Sequence, residues 1–513
     1  MEASEIPYQE TNKFSKLVID YVNENPKVEP FINHFPTLDN FEKQIIEKNN
    51  HPVNRQIIVE VLQKQNSNLC LSNQSQENIE RLLSKDTLTV TTGHQLCIFT
   101  GPLYFLYKII STINLCEQLT AKYPANNFVP IFWMASEDHD FKEINHIHIF
   151  GKKIEWESEK NGAVGRMNLD GFSTVLDELK SVLGTSDNAN KIIILFEKTY
   201  LQHDNLADAT RYLLNELFGE YGLVILDGDD KKLKKQFTPI IKKDILLQGF
   251  EKTIIKCGRD LEEAYRKQAY ARNINFFKLS EGKRELIKAD ITESEIEENP
   301  QQFSPNVLLR PLYQETILPN IAYIGGGAEI AYWMQLKIVF KKENIPFPIL
   351  VLRNSAMLLN ESHNKKREKL DFSISDLFLD EHQLQKKFIL SQTEVDISLQ
   401  NEIKNMELVY ASILKKTTDI GLQNSIKAQL QKQQNSVKQL EQKLIRLEKK
   451  KNESSLLKIR KLKVNLFPNN SLQERNDNFS SFYLTYGENF IKIIKDNLNP
   501  LNPNFVVLTP KDK

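Results

Sequence analysis

The sequence predicts an α/β protein with a doubly wound parallel-sheet core, inserted connecting segments and an α-helical antiparallel coiled coil. Three observations carry this reading. Short apolar runs of strand length alternate with helical stretches between residues 87 and 352. Glycines or acidic residues follow those runs directly, as they do at ligand-binding strand ends. From about residue 385 the composition turns to Gln, Lys, Glu and Leu, with apolar positions at heptad spacing.

Residues 1 to about 85 read as polar helices, since KLVIDYV, NFEKQIIEK and VNRQIIVEVLQKQN each carry helical apolar spacing. Thr87–Thr92 then reads as a buried strand, with Gly93 turning the chain into a helix over Pro102–Leu119. Pro102 suits the first helical turn, where a missing N–H costs nothing. Phe128–Met134 is the next strand, which completes a βαβ unit. Between residues 150 and 220, KKIEWE and AVGRMNL are expected to pair as a hairpin, and His203–Gly219 to form a helix. Leu223–Asp227 reads as a strand that turns at Gly228-Asp229-Asp230 into a lysine-rich helix. Ile321–Ile324 leads through Gly325-Gly326-Gly327 into a helix over Ala328–Lys342, then a strand over Phe347–Leu352. Residues 150–220 and 250–310 read as insertions.

Ile403, Met406, Tyr410 and Ile413 form one apolar run in the C-terminal part. Ile426, Leu430, Val437, Leu440, Leu444 and Leu447 form a second, with Gln433 in the vacant slot. Gly421 between them marks the turn of an antiparallel hairpin. After Pro468, NFSSFYLTYGENFIKII reads as one amphipathic helix returning to the core. The expected domains are a core over 1–385, a coiled-coil hairpin over 386–465 and a returning segment over 466–513.

The chain has 513 residues, 40% hydrophobic and 26% charged, which supports a large core and excludes general disorder. Its 67 basic and 67 acidic side chains give zero formal charge, which argues against nucleic acid as a partner. Four scattered cysteines form no CxxC, the first residues carry no secretory pattern, and no apolar run approaches the roughly 20 residues a membrane span needs. A cytoplasmic protein with reduced thiols and no membrane partner is expected.

Three motifs stand at predicted strand ends. In TVTTGHQLCIFTGPLYFLYK, Thr92, Gly93, His94 and Gln95 are positioned for a ligand, although His94 also suits a hydrogen-bonded turn; no Walker A pattern is present. Cys97, among apolar neighbours, reads as buried and inert. In WMASEDHDFKEINHIH, Trp133, Ser136, Glu137, Asp138 and His139 could line a polar substrate site. Without HExxH or Cys spacing no metal is expected there, and the simpler reading is that Asp140 caps a helix with Glu143 in a capping box. In YIGGGAEIAYWMQLK, the glycines Gly325, Gly326 and Gly327 permit close backbone approach, and Glu329 suits a ribose, an amine or the helix dipole. Arg310 and Arg353 supply cations for an anionic ligand or form surface ion pairs. Asp138, His139 and His94 are the candidates for chemistry; the remainder are candidates for binding.

TTGHQLCIFTGPLYFLYK, VPIFWMASEDHDFKEINH, GGGAEIAYWMQLK and LFPNNSLQERNDNFSSFYLTYGENF, in that order, closely resemble the BshC family, the cysteine-adding enzymes of bacillithiol biosynthesis. The resemblance implies a Rossmann-like core with connecting insertions, and a coiled coil through which two copies form a homodimer. It implies a ligase that joins the carboxyl group of cysteine to the amine of glucosaminyl-malate. A carboxylate is a poor acyl donor, so ATP with Mg²⁺ is the expected means of activation. The core is similar to class I aminoacyl-tRNA synthetases; Gly93-His94-Gln95 stands where their HIGH motif stands, but it is not HIGH, and KMSKS is missing. Two other readings of the same residues are a nucleotidyltransferase-like enzyme acting on another small molecule and a non-catalytic nucleotide-binding coiled-coil scaffold.

Overall fold

The computed structural model describes residues 1–288, 290–392 and 398–511. Strands in chain order are β1 (Glu2–Pro7), β2 (Thr87–His94), β3 (Asn127–Met134), β4 (His146–Ile149), β5 (Lys152–Glu155) and β6 (Val224–Asp227). They continue with β7 (Phe276–Ser280), β8 (Lys283–Leu286), β9 (Phe303–Pro305), β10 (Asn320–Gly325), β11 (Ile349–Leu352), β12 (Ala356–Leu358) and β13 (Asn504–Thr509).

The core is a five-stranded sheet in the order β11-β10-β2-β3-β6, and every pairing in it is parallel. Its strands are buried along nearly their whole length because helices cover both faces, and in β2 the buried positions include four threonines. Pro130 sits inside β3 without breaking it, because pairing with β6 begins only at Ile131. The chain winds one way from β2 through β3 to β6, then returns to place β10 and β11 on the other side of β2. That reversal leaves a crevice beyond the C-terminal ends of β2 and β10, the switch point where such sheets hold ligands.

The strand and helix order of the core agrees with the sequence reading, and the differences are local. The chain begins with a strand, not a helix: β1 pairs antiparallel with β13, whose other neighbour is β12. β2 runs on through Gly93 and His94, paired with Trp133 and Met134, and the helix starts only at Tyr104. Gly93 therefore extends a strand and does not turn one. KKIEWE pairs with the preceding HIHI segment rather than with AVGRMNL, part of which forms a short 3-10 turn. The expected His203–Gly219 helix starts at Leu206, where Asn205 Oδ1 accepts from Asp208 N. The helix after the glycines breaks into Gly327–Met334 and Lys337–Lys342. The C-terminal amphipathic segment is likewise two helices, Ser480–Tyr486 and Asn489–Asn497, separated at Gly487.

Helices Gln400–Leu414 and Ile420–Lys451 form the arms of the coiled coil. Gly421 lies inside the second helix; its start is set by Asp419, whose carboxylate accepts from Leu422 N at 2.7 Å. The sheltered positions of that helix from Ile426 to Glu448 are Ile426, Leu430, Gln434, Val437, Glu441, Ile445 and Glu448, a spacing of four, four, three. Such an 11-residue period fits a nearly straight helix better than the heptad does. The seam thus moves to Glu441 and Ile445, Gln433 is exposed, and Leu440, Leu444 and Leu447 face outward at 52%, 37% and 60% exposure. Among the described residues no helix is long and apolar enough to cross a membrane.

Candidate active site

A cavity of about 650 Å³ opens at the C-terminal ends of β2, β3 and β10. It is lined by Gly93 and His94 from β2 and Gln95 just after it, Trp133, Glu137 and Asp138 from β3 and its loop, and Gly326, Gly327 and Glu329 after β10. Arg310 and Arg353 line it too. Parallel register makes this convergence inevitable, since it brings the ends of neighbouring strands to one edge.

Four candidates lie outside the lining. Thr92 is buried and donates its hydroxyl to Ile324 O at 2.9 Å, tying β2 to β10. Ser136 is buried and its hydroxyl donates to Asp227. Gly325 is the last residue of β10. His139 stands beside the cavity, with its Nδ1 2.9 Å from Arg284 Nη1.

Glu329 is the most heavily bonded carboxylate of the cavity. It accepts from Lys108 Nζ at 2.9 Å through each oxygen, from Tyr323 Oη at 2.6 Å and from Gly326 N at 2.8 Å. Burial pushes its pKa up, but Lys108 and the other donors outweigh burial and bring it down to about 2. Lys108 also donates to Gly93 O, so one ammonium joins the end of β2 to the helix after β10. Gly327 answers to packing: a Cβ there would lie 2.6 Å from Val18 Cγ2.

His94 is a neutral imidazole at physiological pH, because burial and then Lys108 lower its pKa to about 4. Its Nδ1 donates to Gln95 O at 3.0 Å, which leaves Nε2 to accept from Tyr104 Oη at 3.3 Å. Cys97 is buried, and burial followed by Glu143 raises its thiol to about 12, so it is inert.

The acidic loop after β3 is held from several sides. Gln95 Nε2 bridges two carboxylates, Asp138 Oδ2 at 2.8 Å and Glu143 Oε2 at 2.7 Å. Asp138 Oδ1 accepts from His139 N at 2.7 Å and from Asp140 N at 3.4 Å. This corrects the capping expectation: Asp140 makes no side-chain cap on the four-residue helix Phe141–Ile144, and Asp138 supports the turn instead. Glu137 is ion-paired with buried Lys234; burial raises its pKa in spite of that lysine.

Neither arginine is a surface ion pair. Arg353 Nη2 meets buried Glu474 at 2.8 Å, and Arg353 locks the end of β11 to the turn around Gln473. Arg310 lies among the rings of Trp133, Tyr323 and Trp333, 5.4–5.9 Å from their centroids. Its Nη1 donates to Gln314 Oε1 at 3.0 Å and Tyr332 interacts with its guanidinium, while the buried Nη2 has no hydrogen-bond acceptor among the described residues.

Sequence reasoning missed Lys108, Tyr104, Arg284 and Lys234. Lys108 had a signal: it is the single charged residue between Cys97 and Leu115 in an otherwise apolar helix. Arg284 had none, because its insertion carries no pattern that points back to the sheet.

Two family models cover the chain. "Bacillithiol biosynthesis BshC, N-terminal Rossmann-like domain" matches residues 1–354 and "Bacillithiol biosynthesis BshC, C-terminal coiled-coil domain" matches residues 356–510. The second begins at β12, the strand that pairs with β13. Proteins from Flavobacterium johnsoniae and Flavobacterium psychrophilum are 45% and 46% identical over 98% of this chain, covering 99% and 98% of their own lengths. One from Christiangramia forsetii is 43% identical over 98% of both chains. All three carry the name "Putative cysteine ligase BshC". With both models matched in order over a Rossmann-like sheet and a helical hairpin, the chain belongs to the BshC family of bacillithiol biosynthesis.

Proposed function

We propose that the protein is a ligase that adds cysteine to glucosaminyl-malate through ATP-dependent activation of the cysteine carboxyl group, in the cytoplasm. The observation that carries this reading is the cavity itself, where a carboxylate-rich side faces a guanidinium with an unused donor. Joining an amine to a carboxyl group requires both kinds of partner.

Arg310 fits an anionic group, because its buried Nη2 has no acceptor among the described residues and the surrounding rings fix its plane. Asp138 and Glu143 fit an ammonium group, with Gln95 Nε2 bridging the two carboxylates. Asp138 is the group we assign to take the proton when the amine attacks. His94 and His139 have ring nitrogens engaged within the protein, and they position Tyr104 and the acidic loop. ATP would supply the leaving group that a free carboxylate lacks. Among the described residues no three His, Cys, Asp or Glu gather as a ligand set, and Mg²⁺ would enter on the phosphates of ATP.

The test is reconstitution with cysteine, glucosaminyl-malate and ATP-Mg, with mass spectrometry of the thiol product. Asp138→Asn keeps the oxygen that supports the turn and removes the base; product formation is expected to fall about 10²- to 10⁴-fold. Full activity in that variant would remove Asp138 from the chemistry, and no cysteine-bearing product from folded wild type would overturn the reaction.

The outward leucines Leu440, Leu444 and Leu447 support a homodimer through the coiled coil, since a second copy would cover them. Replacing Leu440 and Leu444 by Lys is expected to give monomers with an intact core. A wild type that sediments as a monomer at micromolar concentration would refute the dimer.

A further inference from the structure

The Ser136–Asp140 loop enters the cavity from β3, and both insertions of the core hold it. From the first, Val164 N donates to Asp138 O at 2.7 Å and Gly165 N to Ser136 O at 2.8 Å. No side chain fits at Gly165, where a Cβ would lie 2.5 Å from that of Ser136. From the second comes Arg284 on β8, whose three other residues are all exposed.

Every edge of the Arg284 guanidinium is committed. It lies 4.2 Å over the Phe277 ring, Nε donates to Ser304 Oγ at 3.1 Å and Nη2 donates to Pro305 O at 3.1 Å. Those contacts aim Nη1 at the loop, 2.9 Å from His139 Nδ1 and 3.7 Å from Asp138 Oδ1. Arginine has no acceptor, so a hydrogen bond with Arg284 has His139 Nδ1 accepting and the ring proton on Nε2, while Asp138 Oδ1 stands 3.5 Å from the same Nδ1. The carboxylates that face Arg284 are Asp138 and Glu137. Nε and Nη2 tie β8 to β9 within the insertion's own sheet, and Nη1 is the edge that reaches out to the acidic loop.

We infer that Arg284 is a positioning residue, which fixes Asp138 and His139 from the second insertion before substrate enters. The inference rests on Asp138 having the role assigned above. It makes docking of the insertion a condition for a competent site, because the loop is held from two sides, by Gln95 just after β2 and by Arg284 from the insertion.

Arg284→Ala, Arg284→Lys and His139→Gln in the full chain provide the test. Arg284→Ala is expected to lower kcat about 10²-fold, the scale of a misplaced reacting group, with KM values unchanged. Methylguanidinium added to Arg284→Ala is expected to restore part of that loss, while Arg284→Lys is not, since one ammonium cannot serve three fixed directions. A readout independent of the reaction is ¹⁵N NMR of the histidine rings, with His139→Gln giving the assignment. The wild-type His139 is expected to show an unprotonated, hydrogen-bonded Nδ1, and Arg284→Ala to move that signal. An unmoved His139 signal in a folded Arg284→Ala protein would overturn the inference whether or not the proposed reaction is found. A rise in KM for one substrate at constant kcat would also overturn it, by making Arg284 a direct binding group.

Discussion

Lys108 and Glu329 meet at the C-terminal end of the parallel sheet, beside the cavity, while Lys48 and Glu315 meet near its other end, against the first residue of β10. Lys108, Lys48 and Glu315 are buried and Glu329 keeps 25% of its side chain exposed to the cavity, and the two carboxylates differ in opposite directions. Glu329 is held down to about 2, whereas burial, only partly offset by Lys48, raises Glu315 to about 7. Deeper burial of Glu315 contributes to this, and the arrangement of donors adds to it. Glu329 has donors on both oxygens, with Lys108 at 2.9 Å from each. Glu315 takes Gln314 and Asn320 on one oxygen, its other oxygen has no hydrogen-bond donor among the described residues, and Lys48 stands 3.8 Å away. A buried carboxylate stays charged when the fold supplies donors to both oxygens, and drifts toward its neutral form when it does not.

The largest test of that contrast is Lys108→Met. It strands the Glu329 charge and the Gly93 carbonyl, and is expected to cost about 3–5 kcal/mol in denaturant unfolding. Adding Glu329→Leu to that variant is expected to recover much of the loss, because no unpaired charge is then left. Lys48→Met is expected to cost less, about 1–3 kcal/mol, since Glu315 can take up a proton and only the Glu315 backbone carbonyl loses its donor. Equal costs for the two lysine variants would break the comparison.

Opposite pH dependence sharpens it further. Glu329 has a lowered pKa, so its contribution to stability is present above the ordinary 4.5 and is lost as pH falls through about 2. Glu315 has a raised pKa, so its contribution is complete below 4.5 and is lost as pH rises through about 7. Stability of Glu315→Gln measured against pH is therefore expected to lack a decline that the wild type shows between those values, at a slope of at most about 1.4 kcal/mol per pH unit. Parallel curves for the variant and the wild type would show that Glu315 does not titrate in that range.

The core strands, the βαβ order and the three segments that bound the cavity were all legible in the sequence. Each depends on local pattern: apolar runs of strand length, glycine and acidic residues at their ends, and helical spacing between them. Parallel pairing then carries those ends to one edge without further information. What local pattern could not reach was the assignment of partners. Asp140 has the spacing of a capping residue, yet Asp138 supports the turn, because Gln95 and Arg284 fix that carboxylate from elsewhere in the chain.

The coiled coil marks the same boundary. Sequence alone determined that residues near 400–450 form two helices packed on each other, because apolar steps of three and four permit little else. Which leucines face inward was decided by the helix itself in three dimensions. At 3.6 residues per turn a heptad drifts, and by Glu441 the drift has turned Leu440, Leu444 and Leu447 outward. Arg310 and Arg353 belong with them. Their charge is plain in the sequence, but whether it is solvated, paired with Glu474 or caged by three aromatic rings depends on residues up to 177 positions away, which only the folded chain brings together.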